Sequence, residues 1–159
     1  MNGDIIGAII CCLILLIIML ISIVKCRKMY DAKRKEKKAR DNDAKRFGAI
    51  MHNSLIHIEG LPLANGVYVE VYYGPEKIVF KKDQQEISVA TDKITSIDCV
   101  IKNGRSKKIS AMKTYLVISY ISSGKNKHIK LDAAYSGTFV IKVEKDFKKC
   151  KTVARSVEL

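Results

Sequence analysis

The chain has 159 residues, room for one ordinary domain and an appendage, which argues against a multidomain enzyme. Lysine and arginine number 29 against 16 aspartates and glutamates, a formal charge of +13 that favours polyanionic surroundings such as lipid headgroups or nucleic acid. A mean hydropathy near zero conceals a segregation, since residues 5–24 carry no charge and residues 25–46 carry little else.

Ile5 to Val24 reads IIGAIICCLILLIIMLISIV. As a helix rising 1.5 Å per residue it is about 30 Å long, the hydrocarbon thickness of a bilayer. A transmembrane helix over 5–24 is therefore expected, with 1–4 as an extracytoplasmic N-terminus. A cleavable signal peptide would want basic residues first, a shorter apolar stretch and small residues before the cut. Here only Met-Asn-Gly-Asp precedes the run, and Ser22-Ile23-Val24-Lys25 offers no small-x-small site. Neither Ile10 before Cys11 nor Lys25 before Cys26 suits lipoprotein processing. Gly7 and Cys11 have the spacing that lets helices approach closely, although such spacing is common in spans that face lipid.

Residues 25–46 follow as a basic juxtamembrane stalk with eleven Lys or Arg and four acids, a net +7. By the positive-inside rule this fixes the N-terminus outside and the remainder in the cytoplasm at the inner membrane. The stretch has no apolar face at helical spacing, and helix formers dominate until Asp41-Asn42-Asp43. A solvated, partly helical stalk is expected. Lys25, Arg27, Lys28, Lys33, Arg34, Lys35, Lys37 and Lys38 are the candidate membrane-surface contacts, each contributing about 1 kcal/mol only within a Debye length of anionic headgroups. Five cysteines, an odd number, with Cys99 and Cys150 far apart and no C-x-x-C, agree with a reduced compartment lacking a disulfide framework or zinc site.

After a linker at 47–54 the texture changes to short β-rich runs. Val67–Tyr73 ends at Gly74-Pro75. Lys77–Lys81, a turn at Lys82-Asp83, Glu86–Ala90 and Ile94–Lys102 follow, the last ending at Asn103-Gly104. Thr114–Ile121 is broken by Ser122-Ser123-Gly124 before His128–Leu131. The short connections predict an antiparallel meander. Beyond Ser136-Gly137-Thr138 the period becomes helical, with Phe139, Val140, Val143, Phe147 and Cys150 on one stripe, Thr138 as N-cap and a frayed tail at 152–159. The fold class expected over 55–151 is mainly β within α+β, a bent antiparallel sheet or split barrel of six to seven strands closed by one C-terminal amphipathic helix.

That element order resembles the pleckstrin-homology superfold. With Glu59-Gly60-Leu61-Pro62-Leu63 leading into the first run, Lys93-Ile94-Thr95-Ser96-Ile97 and Val143-Glu144-Lys145, the chain is similar to bacterial PH-like or GRAM-like domains carried on a single-pass membrane anchor. The resemblance implies a binding or scaffold module without catalysis and names no ligand. Inositide-binding relatives place bases around the first hairpin. Set against Tyr73-Gly74-Pro75-Glu76-Lys77, the chain departs from that pattern with one base offset by one acid.

The sequence holds no nucleotide, hydrolase or metalloprotease motif, and His52, His57 and His128 have no partner at metal-ligand spacing, so no enzyme, metal or cofactor is expected. Cys99 or Cys150 with His128 could compose a nucleophile pair, but both cysteines are expected to be buried structural residues. Lys102, Arg105, Lys107 and Lys108 form a basic loop, the candidate anion or lipid contact. Three partners therefore follow: a protein or peptide at the inner leaflet, possible through exposed strand edges; anionic lipid headgroups read by stalk and loop; and, weakest because its bases are scattered without stacking aromatics, nucleic acid.

Overall fold

The computed structural model describes residues 2–103 and 112–157, with side chains described over 17–102 and 113–152. It divides into two units, residues 1–43 and 44–159.

The first unit is most of helix α1 (Asn2–Phe47). The helix passes through Asp41-Asn42-Asp43 without a break and ends at Gly48, whose φ of +66° suits a residue without Cβ. Gly48 N–H donates to Lys45 O at 3.1 Å and Ala49 N–H to Ala44 O at 2.8 Å, the paired bonds of a Schellman cap. Among residues whose side chains are described, no helix is long and apolar enough to cross a membrane. The expected span at 5–24 lies over residues 5–16 outside that set.

The second unit is α+β: a seven-stranded antiparallel sheet and a C-terminal helix. The strands are β1 (Met51–Glu59), β2 (Tyr68–Tyr73), β3 (Lys77–Lys82), β4 (Gln85–Ala90), β5 (Ile94–Asn103), β6 (Met112–Ser122) and β7 (Lys125–Asp132), and the helix is α2 (Gly137–Val157). Their order is β4-β3-β2-β1-β7-β6-β5, two meanders joined through β1 and β7 rather than the single meander expected. Consecutive strands β4 and β5 are thus the two ends of the sheet, linked only by the 3-10 turn Thr91–Lys93. Six flat strand spacings would separate them by about 29 Å, and four residue steps span at most about 14 Å, so the sheet must curl. Strand β1 makes the corner. Its residues 51–56 pair with β2, its end pairs with β7, and a bulge between His57 and Glu59 takes up the change.

β1 begins inside the 47–54 stretch read as linker. Its alternation is masked because His52, Asn53 and Ser54 are polar and because a core position is held by His57, 2 % exposed. Helix α2 likewise continues beyond Lys151 through residues read as tail. It starts before Thr138: Phe139 N–H donates to Ser136 O at 3.0 Å, leaving Ser136 at the cap and Thr138 in the first turn. Gly137 is seated against Thr114, where a Cβ would meet Oγ1 at 3.4 Å.

The inward row of every strand and the stripe Phe139, Val140, Val143 and Phe147 form one core. Burying each of those four side chains stabilises α2 on the sheet by roughly 1.5–3 kcal/mol. Cys150, assigned by period to the same stripe, is exposed; beyond Phe147 it is Lys151, one position on, that meets the sheet, its ammonium on the Ile94 and Thr95 carbonyls. A second small cluster on the other face joins Ala44 with Tyr72 and Val79, with Phe47 tilted against Tyr72 at 5.1 Å between ring centroids. Arg46 pairs with Glu86 beside it.

Candidate functional site

The long free edge of the sheet is β5, ten residues against six in β4 at the other end. On its inner face it is flanked by α2, which packs on β5, β6 and β1. Thr95, Ser96, Ile97 and Asp98 from the strand and Phe147, Lys148, Lys151 and Thr152 from the helix line a groove of about 450 Å³. A neighbouring cavity of about 510 Å³ shares Phe147 and Lys151 and reaches Pro75, Glu76, Thr91, Asp92 and Cys150. Phe147 is the apolar floor common to both, and Lys151 divides them. Its ammonium donates to Ile94 O and Thr95 O, both at 2.9 Å, and stands 5.0 Å from the Phe147 ring centroid. Lys151 thus occupies the first residues of the edge. Thr95 is the irregular position between the paired residues Ile94 and Ser96.

The groove is electrically mixed. Ser96 Oγ donates to Asp98 at 2.8 Å, and Lys148 Nζ donates to Glu144 at 2.7 Å. The Glu144 bond, with Asp98 nearby, raises the Lys148 ammonium above the ordinary lysine range. Beneath the helix, Tyr73 OH donates to Asp146 at 3.1 Å. Burial pushes this phenol well above the usual tyrosine value, and the Asp146 charge adds to it. Burial also raises the Cys99 thiol, with Glu144 contributing. A raised thiol is a poor nucleophile at neutral pH. Cys99 shares an inward row with Leu116 and Leu131, whereas His128 lies in a row with Ser119 on the opposite face and contacts Glu59 at 3.5 Å. The sheet holds that candidate pair apart.

No protein-family model matches the chain, and no curated protein sequence matches it.

The sequence-predicted contacts fall elsewhere. Lys25, Arg27, Lys28, Lys33, Arg34, Lys35, Lys37 and Lys38 are all exposed on α1. At about 100° per residue these eight side chains are spread around the whole circumference, Lys25 directly opposite Arg34, so they make a charged rod and no single face. Of the basic loop, Lys102 is the exposed penultimate residue of β5, and Arg105, Lys107 and Lys108 lie outside the described residues. Among the described residues no group of three or more His, Cys, Asp or Glu is placed to hold a metal.

Sequence reasoning passed over His57. Its Nε2 accepts from Leu61 N–H at 3.2 Å, which leaves Nδ1 to donate to Ala64 O at 3.0 Å. The buried ring ties down the β1–β2 connection, residues 60–67. This connection, rather than Tyr73–Lys77, is the first hairpin, and Gly-Leu-Pro-Leu-Ala-Asn-Gly-Val contains no base at all.

Proposed function

We propose that the chain is a single-pass inner-membrane protein whose cytoplasmic sheet domain is a PH-like binding module for an extended protein segment. The observation that carries this reading is the open β5 edge with a groove beside it. An extended segment adds to such an edge through its backbone, and side-chain pockets along the groove supply selectivity. Phe147 gives the groove an apolar floor, and Lys148 and Lys151 give it cationic walls. Bound charge at Asp98 and Glu144 keeps it from being a generic anion site.

The apolar run Ile5–Val24 supports the anchor, and the excess of bases directly after it supports the orientation. If α1 leaves the bilayer along its own axis, Lys38 stands about 20 Å farther out than Lys25, beyond the Debye length of about 8–10 Å. Headgroup contact then belongs to Lys25, Arg27 and Lys28, and the later bases keep the rod solvated.

The test places a photo-crosslinking amino acid at Ser96 in the full-length chain in native membranes, with Gln85 on β4 as the control position. Adducts are expected at Ser96 and not at Gln85. Equal yields at the two edges would remove the reading.

A further inference from the structure

We propose that the segment added to β5 is β5 of a second copy of this chain, paired antiparallel about a two-fold axis at Val100. This names the occupant of the edge described above and rests on that reading of it.

The register follows from parity. Residues directly opposed across an antiparallel pair lie on the same face, so a two-fold axis normal to the sheet must pass between a residue and its own symmetry mate. An axis at Asp98 sets two carboxylates against each other. An axis at Cys99 sets Asp98 against Val100 and Lys102 against Ser96, and neither charge is matched. An axis at Val100 sets Asp98 of each copy against Lys102 of the other, twice per dimer. Within the described part of the edge, only this axis pairs both charges.

The same register answers two features of the single chain. Lys102 lies directly across from Lys113 on β6, a like-charge pair of the kind that destabilises a sheet. A second copy brings Asp98 to the free side of Lys102. Ile101, 50 % exposed on the inward face, gains Cys99 of the second copy as its opposed neighbour. On the outer face the row Asp132, Tyr115, Val100 continues through the axis into its mirror sequence. The edge is ten residues long without proline, and its blocking devices sit at its start, where Lys151 holds the Ile94 and Thr95 carbonyls. The paired window from Asp98 to Lys102 is clear of the Lys151 bonds, and the charges at its two ends, which would repel an arbitrary strand, match each other in this register. Tethering of both copies to one membrane raises their effective concentration, so a short edge suffices.

The test uses the full-length chain in native membranes with its five cysteines replaced by serine and Val100→Cys added, treated with a short bis-maleimide. A covalent dimer is expected, absent when the cysteine is placed at Gln85 instead. Asp98→Lys or Lys102→Asp alone lowers the dimer yield about tenfold, since each reverses two symmetric pairs, and the double reversal restores it to within about twofold. Light scattering on the unsubstituted chain in detergent, at a protein-to-micelle ratio that keeps two copies in one micelle, provides a readout independent of the variants' folding, and a dimeric mass is expected. A monomeric mass, a Gln85→Cys yield equal to Val100→Cys, or a double reversal as weak as the singles each overturns the proposal. Ser96 adducts to a different polypeptide, with Val100→Cys remaining monomeric, sink the second copy and leave strand addition standing. No adducts at Ser96 sink both.

Discussion

The long helix and the sheet domain are stabilised by different physics. Over residues 17–43 of α1 almost every side chain is exposed, and the helix rests on local terms: good helix formers, the Glu36–Arg40 pair at 3.5 Å and the cap at Gly48. In the sheet domain position is decided by burial, with Leu55, Phe80, Leu116, Ile118, Ile129 and Leu131 fully enclosed. The contrast is sharpest between the two helices. Helix α2 has a stripe that fits the core, whereas residues 17–43 of α1 have none, so side-chain identity matters in the one and mainly helix propensity in that part of the other.

Five substitutions bear on that contrast, beginning with the most damaging. Gly60 has φ +95°, and a Cβ there would strike the carbonyl of His128. Gly60→Ala is expected to cost about 3 kcal/mol or more, read as a large drop in the denaturation midpoint of the domain. Phe147→Ala empties the floor of the groove and is expected to cost about 3–5 kcal/mol, whereas Tyr30→Ala on α1 should stay within about 0.5 kcal/mol. A comparable loss at Tyr30 would mean that α1 has a packed face after all. His57→Ala leaves Leu61 N–H and Ala64 O without their side-chain partner, at a cost of about 1–3 kcal/mol by chemical denaturation.

The mildest effect concerns Tyr73. Its folded value is raised, so between the ordinary tyrosine pKa near 10 and that higher value the unfolded chain releases a proton the folded chain retains. Stability contributed by the neutral phenol is full below about pH 10 and is lost as pH rises through that window. Tyr73→Phe should flatten this alkaline decline, measured as stability against pH from 9 to 11. An unchanged slope would show that burial and the Asp146 contact do not hold the phenol neutral.

Much of the sheet was legible because its strands obey a two-residue alternation bounded by turn residues. The hairpin at Ser123-Gly124, both at positive φ, was signalled by its glycine. Strand β1 was not legible, because at His57 the inward position is polar and its compensating bonds come from backbone several residues away. Cys150 was misplaced for the opposite reason: the helical period is real, but it cannot say which neighbouring residue meets the strand edge, and here it is Lys151. The groove escaped sequence reading because Lys151 and its carbonyl partners are 56 and 57 residues apart, a separation that only the curl of the sheet closes. Strand order was likewise hidden, since short connections fix neighbours within each meander and leave the β1–β7 join open.

The imidazole that pins the β1–β2 connection has a kinetic corollary. Leu61 belongs to a turn by sequence, yet its amide is bonded to a ring enclosed in the core, so it can open only when that ring leaves. In deuterated buffer its proton should therefore persist on the timescale of the central strands while neighbouring loop protons vanish early.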